Sequence, residues 1–151
     1  MEYRHRQSGY LGVLVLIWMV AVGGLIVALA DGEETSALVL MGVSLFIVTA
    51  VVFWFNTLTV TVDGGRVQAR FGPGWPKRII ETRNIIGFRQ VRNKWYHGWG
   101  IRGISGGWMY NVWGLDAVEL ELANGKKFRI GTDEPADLIA ALSAHTALRA
   151  G

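Results

Sequence analysis

Cysteine is absent from this chain of 151 residues. Its absence excludes disulfide staples, thiolate zinc sites, iron–sulfur clusters and a cysteine nucleophile. Proline occurs only three times, and charged side chains make up 18% of the sequence, against about 25% in an average soluble domain. A disordered polar chain is therefore excluded as well. Acidic residues are scarce in one interval in particular. Between Arg66 and Arg102 there are nine Lys and Arg, and Glu81 is the only acid. What is abundant is apolar: 51% hydrophobic residues, with twenty glycines and seven tryptophans.

The apolar residues are concentrated near the start. Tyr10 to Ala30 is a run of 21 residues without a charge, and Ala37 to Phe55 is a second run of 19. About 20 apolar residues reach across a hydrocarbon core, so a transmembrane hairpin is expected over 10–55, with spans 10–30 and 37–55. A cleaved signal peptide has a shorter apolar core and no second run behind it. Gly24 and Ala28 are spaced for close packing of the first helix on the second. The connector 31–36 carries Asp31, Glu33 and Glu34 and no base. Arg4 and Arg6 precede the first run, and Arg66, Arg70, Lys77 and Arg78 follow the second. Basic flanks stay in the cytoplasm. The expectation is thus a multi-pass protein of the cell inner (plasma) membrane with both termini cytoplasmic, residues 1–9 being a tail and 31–36 a short outside loop.

Residues 57–151 read as short strands and one helix, a cytoplasmic domain. Thr57–Val62 alternates with apolar residues at even positions, and Arg66–Phe71 alternates with apolar residues at odd positions. A two-residue Gly64-Gly65 loop puts both apolar sets on one face, with Val62 opposite Val67 and Leu58 opposite Phe71. In the last hairpin Val118, Leu120, Leu122, Phe128 and Ile130 are all even, which demands a three-residue loop Ala123-Asn124-Gly125. Leu120 then opposes Phe128, and Glu119 and Glu121 meet Arg129 and Lys127 on an outer, solvated face. Further strands are expected near 75–80, 85–92, 99–104 and 108–113. Thr132 or Asp133 caps a helix beginning near Pro135, with Leu138, Ile139, Leu142 and Leu148 as its apolar stripe.

Three segments, Gly98-Trp99-Gly100-Ile101-Arg102, then Gly106-Gly107-Trp108, then Asn124-Gly125 running through Phe128 to Pro135, resemble the bacterial pleckstrin-homology-like (PH-like) domains of small membrane proteins. The resemblance covers about Thr57 to Leu142. It implies an α+β membrane protein, in which the transmembrane hairpin is followed by an antiparallel PH-like β-barrel with a C-terminal capping helix. It implies no catalytic residues. Phosphoinositide recognition is not implied, because the first hairpin loop is only Gly64-Gly65 and carries no basic cluster.

Two letter patterns fail in context. Gly98–Gly103 spells G-x-G-x-x-G, yet no βαβ unit surrounds it. Gly103–Gly107 spells G-x-S-x-G, with His145 downstream, yet it reads as a turn between strands and not as a nucleophile elbow. His5, His97 and His145 share no ligand spacing. No cofactor, metal or nucleotide is expected, and no enzyme.

The basic interval is interleaved with aromatics, a pattern that suits single-stranded nucleic acid or an anionic membrane surface. With only Asn56 between Phe55 and Thr57, the tether favours the membrane and argues against nucleic acid. Strand direction alternates, so in a simple meander the loops Gly72–Pro76, Asn93–Gly98 and Gly114–Asp116 point toward the membrane, and the turns at 64–65, 82–84, 105–107 and 123–125 point away. Trp75, Lys77, Arg78, Arg92, Lys94, Trp95, Tyr96 and His97 are the expected contact residues for a membrane surface or a partner. Trp99 and Trp108 are expected in the core. The functional expectation is a non-enzymatic, membrane-anchored docking module that binds a protein partner, a second copy of itself or anionic lipid. The alternative is an accessory subunit whose hairpin packs on the helices of a larger complex.

Overall fold

The computed structural model describes residues 2–29 and 35–146. Asp31, Glu33 and Glu34 of the connector, and Leu148, lie outside the described residues. The order is β1 (Tyr3–Ser8), α1 (Leu11–Leu29), α2 (Thr35–Trp54), β2 (Thr57–Asp63), β3 (Arg66–Phe71), β4 (Lys77–Glu81), β5 (Ile85–Arg92), β6 (Gly100–Ile104), β7 (Gly107–Asn111), β8 (Asp116–Leu122), β9 (Lys127–Gly131) and α3 (Pro135–His145).

The strands form two sheets, β1-β2-β3-β4 and β5-β8-β9-β7-β6. The antiparallel barrel expected from the sequence is not formed. Among the described residues no ladder joins the sheets into a closed cylinder, and β7 runs parallel to β9. That parallel pair depends on a missing side chain. A Cβ on Gly107 would lie 1.7 Å from the Lys127 carbonyl oxygen, so only glycine lets the two backbones meet. Gly107→Ala should therefore destabilise by about 2–3 kcal/mol or more. Gly103→Ala, whose Cβ meets nothing within 4 Å, should cost far less. Denaturant midpoints of the two variants check this.

Residues 3–8, read as a tail, are an edge strand. β1 pairs along its whole length with β2, from Tyr3 opposite Val62 to Ser8 opposite Thr57. The helical hairpin is thus inserted between two neighbouring strands and rises from one end of the first sheet. There the Gly9 N–H donates to the Asn56 carbonyl at 2.8 Å, and the Asn56 side chain accepts from the Gly12 N–H.

The two transmembrane spans are also corrected, and with them the multi-pass inner-membrane location. Among the described residues, no helix is long and apolar enough to cross a membrane. α1 starts after Tyr10 and holds 19 residues. α2 contains polar Ser44 and Thr49, whose hydroxyls donate to the Leu40 and Leu45 carbonyls. Thr49 also lies 2.8 Å from the Met19 sulfur, which joins the two helices.

The core lies between the two sheets and under α3. Leu58, Val60, Val67 and Phe71 meet Phe88, Val118, Leu120, Phe128 and Ile130, and Leu138 and Leu142 of α3 are fully buried against them. Both hairpin registers match the alternation of the sequence. Leu58 faces Phe71 across Gly64 and Gly65, both at positive φ, and Leu120 faces Phe128. α3 begins at Pro135, and the Thr132 hydroxyl accepts from the Glu134 N–H just before it. His5 of β1 lies 2.6 Å from Asp133 and 3.1 Å from Glu134, tying the edge strand to the start of α3.

Candidate functional site

The loops expected at a membrane lie at the end of the sheets from which the helices rise. The Gly72 N–H donates to the Thr57 carbonyl, and the Trp54 indole donates to the Trp75 carbonyl. The Asn93 N–H donates to Leu115, and Asn111 bridges the Gly98 and Gly114 carbonyls. Gln7 of β1 donates to the Trp113 carbonyl. The opposite turns are bonded to each other: Thr82 to Gly65, Ala123 to Asn84, and Lys127 to Gly106. The loops fall at these two ends because strand direction alternates along the chain, even though the strands are not in sequential order in space and β7 lies parallel to its neighbour β9.

At the helix end, Lys94, Trp95, Tyr96 and His97 form one short segment, a 3₁₀ turn over Trp95–His97. Trp95 is 83% exposed. Its ring meets Tyr96 edge-on at 6.0 Å, and the Tyr96 ring meets His97 at 5.0 Å. The Lys94 ammonium sits 5.6 Å from the Tyr96 ring centroid, a cation–π contact. Arg92 is exposed at the end of β5. Trp75, exposed, precedes Pro76 in the β3–β4 loop.

Lys77 and Arg78 part company. Lys77 stands opposite Arg70 on the outer face of the first sheet. Arg78 projects to the other side and lines an open groove of about 230 Å³ with Ile101, Trp108, Tyr110 and Phe128. Burial pushes the Tyr110 phenol up, while the nearby Arg78 charge pulls it back. This groove is the seam where β4 and β6, each the edge of its own sheet, do not pair. Trp108 is 57% exposed there, and Trp99 is 44% exposed, so neither is the core residue expected from the sequence. Trp99 instead stacks on Trp113 at 5.1 Å, and Trp113 meets Tyr10 edge-on at 5.7 Å. An aromatic series therefore runs from the foot of α1 across the end of the second sheet.

A second polar cluster was misread from sequence. Glu119, expected on a solvated face, is 1% exposed. Its carboxylate accepts from Arg89 at 2.8 Å and from Arg129, and lies 3.4 Å from the Lys127 ammonium. Arg129 also donates to Asn93 at 2.8 Å. Burial pushes the Glu119 carboxyl up, but the hydrogen bonds from Arg129 and Arg89 outweigh it and hold the group at about 2. The arginines on the two flanking strands were visible in the sequence; that they close over Glu119 was not.

Among the described residues no three His, Asp or Glu gather to hold a metal ion. Ser105 lies in the turn between β6 and β7, and the His145 ring lies 2.9 Å from the Ala141 carbonyl on its own helix. No family model matches the chain, and no curated protein matches it.

Proposed function

We propose that this protein is a non-enzymatic docking module: the helical hairpin packs against apolar helices of a partner, and the basic-aromatic loops meet an anionic surface beside it. The observation that carries this reading is the hairpin itself. Apolar side chains are exposed on both helices away from the half-buried seam between them, with Val20 71% and Phe46 67% exposed. An apolar surface of this extent demands a cover. The aromatic rings and arginines at the hairpin's foot suit a protein interface, where tryptophan, tyrosine and arginine are enriched over the rest of the surface. A kinship with bacterial PH-like domains is part of the same proposal, supported by the way α3 packs on strands of both sheets, β2, β5 and β8.

Purification in mild detergent followed by mass analysis of the intact particle tests the proposal. A particle containing more than one chain is expected. A monomer of 16.7 kDa that stays monodisperse without detergent overturns it. For the loops, a single cysteine at Trp95, labelled with a polarity-sensitive dye, should change its emission on contact with partner or with anionic vesicles. The same label at Asn124, in a turn at the opposite end, should not respond. Equal responses at both positions remove the basic-aromatic loops from the interface.

A further inference from the structure

The outer face of the first sheet carries a feature that the docking proposal does not use. Strand register places Arg6, Thr59, Arg70 and Lys77 directly opposite one another across all four strands. Arg4 lies two residues along β1 on the same face. Three of these cations, Arg4, Arg6 and Arg70, line a groove of about 880 Å³ together with Thr59. The other wall belongs to α2, where Phe53 and Trp54 are exposed. Among the described residues no carboxylate lines the groove, and none of the three arginines has an acidic partner. The Arg70 Nε is buried and unpaired. A buried donor left without an acceptor calls for one.

We infer that this groove binds an anionic amphiphile, with a phosphate-class head on the arginines and an apolar tail along α2. Guanidinium groups match tetrahedral oxyanions through paired N–H donors. Three arginines from two strands converge on one side, and the Thr59 hydroxyl on the strand between them supplies a further donor. The apolar wall begins directly beside them, so head and tail requirements are met within one groove. Its volume falls in the ordinary range for small-molecule sites, roughly 300–1,000 Å³. The inference does not depend on the docking proposal, because it uses the sheet face and one side of α2 and needs no second protein.

Titration calorimetry on the full chain with dodecyl phosphate, below its micelle concentration, tests it. Dodecyl maltoside, with the same tail and a neutral head, and inorganic phosphate are run in parallel. Dodecyl phosphate should bind at least tenfold more tightly than either. The double variant Arg4→Gln and Arg6→Gln, both at exposed positions, should remove that preference, while Lys126→Gln in the far turn should keep it. Equal binding of dodecyl phosphate and dodecyl maltoside would mean that the tail adheres to the hairpin without a head site. Equal binding of inorganic phosphate would remove the tail from the site. A preference unchanged by the arginine variant overturns the assignment of the groove, as does no binding at all.

Discussion

Leu142→Asp is expected to unfold the β-domain. Leu142 is fully buried where α3 lies across both sheets. An aspartate there exchanges packed apolar surface for a carboxylate with no partner, a loss of roughly 4–5 kcal/mol, which is a large part of a small domain's stability. Ala140→Asp is the control, since Ala140 is an exposed position of the same helix and substitutions at such sites usually stay within about 0.5 kcal/mol. Thermal melting followed by far-ultraviolet circular dichroism separates the two. Equal shifts would mean that α3 does not hold the sheets together through this face.

The second large effect is expected at Glu119. Its folded-state pKa of about 2 lies below the ordinary 4.5. A depressed carboxyl contributes stability that is fully present above the unfolded value and lost as pH falls through the folded one. The loss should therefore run from about pH 4.5 down to about pH 2, and amount to as much as about 3 kcal/mol. Glu119→Gln should remove that part of the acid sensitivity. At neutral pH it should cost about 3 kcal/mol, because it leaves the half-buried Arg129 charge without its counter-ion. Glu81→Gln breaks only the exposed pair with Arg83 and should cost less than about 1 kcal/mol. Urea midpoints measured from pH 7 to pH 2.5 distinguish these outcomes. A Glu119→Gln variant with the wild-type acid profile would show that the three basic residues do not hold the carboxylate in the folded state.

Much of the local order was legible in the sequence. Alternating apolar residues and paired glycines determined that Leu58 faces Phe71, and the even parity of Leu120 and Phe128 determined a three-residue loop with Gly125 at positive φ. The stripe of Leu138 and Leu142 determined which face of α3 is buried. Each of these is a short-range rule, in which a side-chain period of two or 3.6 and one turn decide the answer. Strand direction is equally local, which is why the ends to which the loops return could be read before their neighbours were known.

Tertiary structure decided the rest. β1 gave no apolar signal, because its inward positions are Tyr3, His5 and Gln7, and a polar residue turned inward is recognisable only when its partner is known: Asp133 for His5, and the Trp113 carbonyl for Gln7. The parallel contact of β7 with β9 rests on Gly107, and a glycine in a sequence does not name the backbone it admits. The size of Trp99 and Trp108 points inward, yet Trp108 is half exposed because the sheets part between β4 and β6, and Trp99 is half exposed at the helix end, where it stacks on Trp113. The uncharged runs of the sequence point to two membrane spans, and among the described residues no helix is long and apolar enough to cross a membrane. Glu119 carries the same lesson in charge. Its pairing with Arg129 was a register statement that the sequence determined, but its burial under Arg89, Arg129 and Lys127 belongs to three strands at once, and only their assembly turns a surface acid into a buried one.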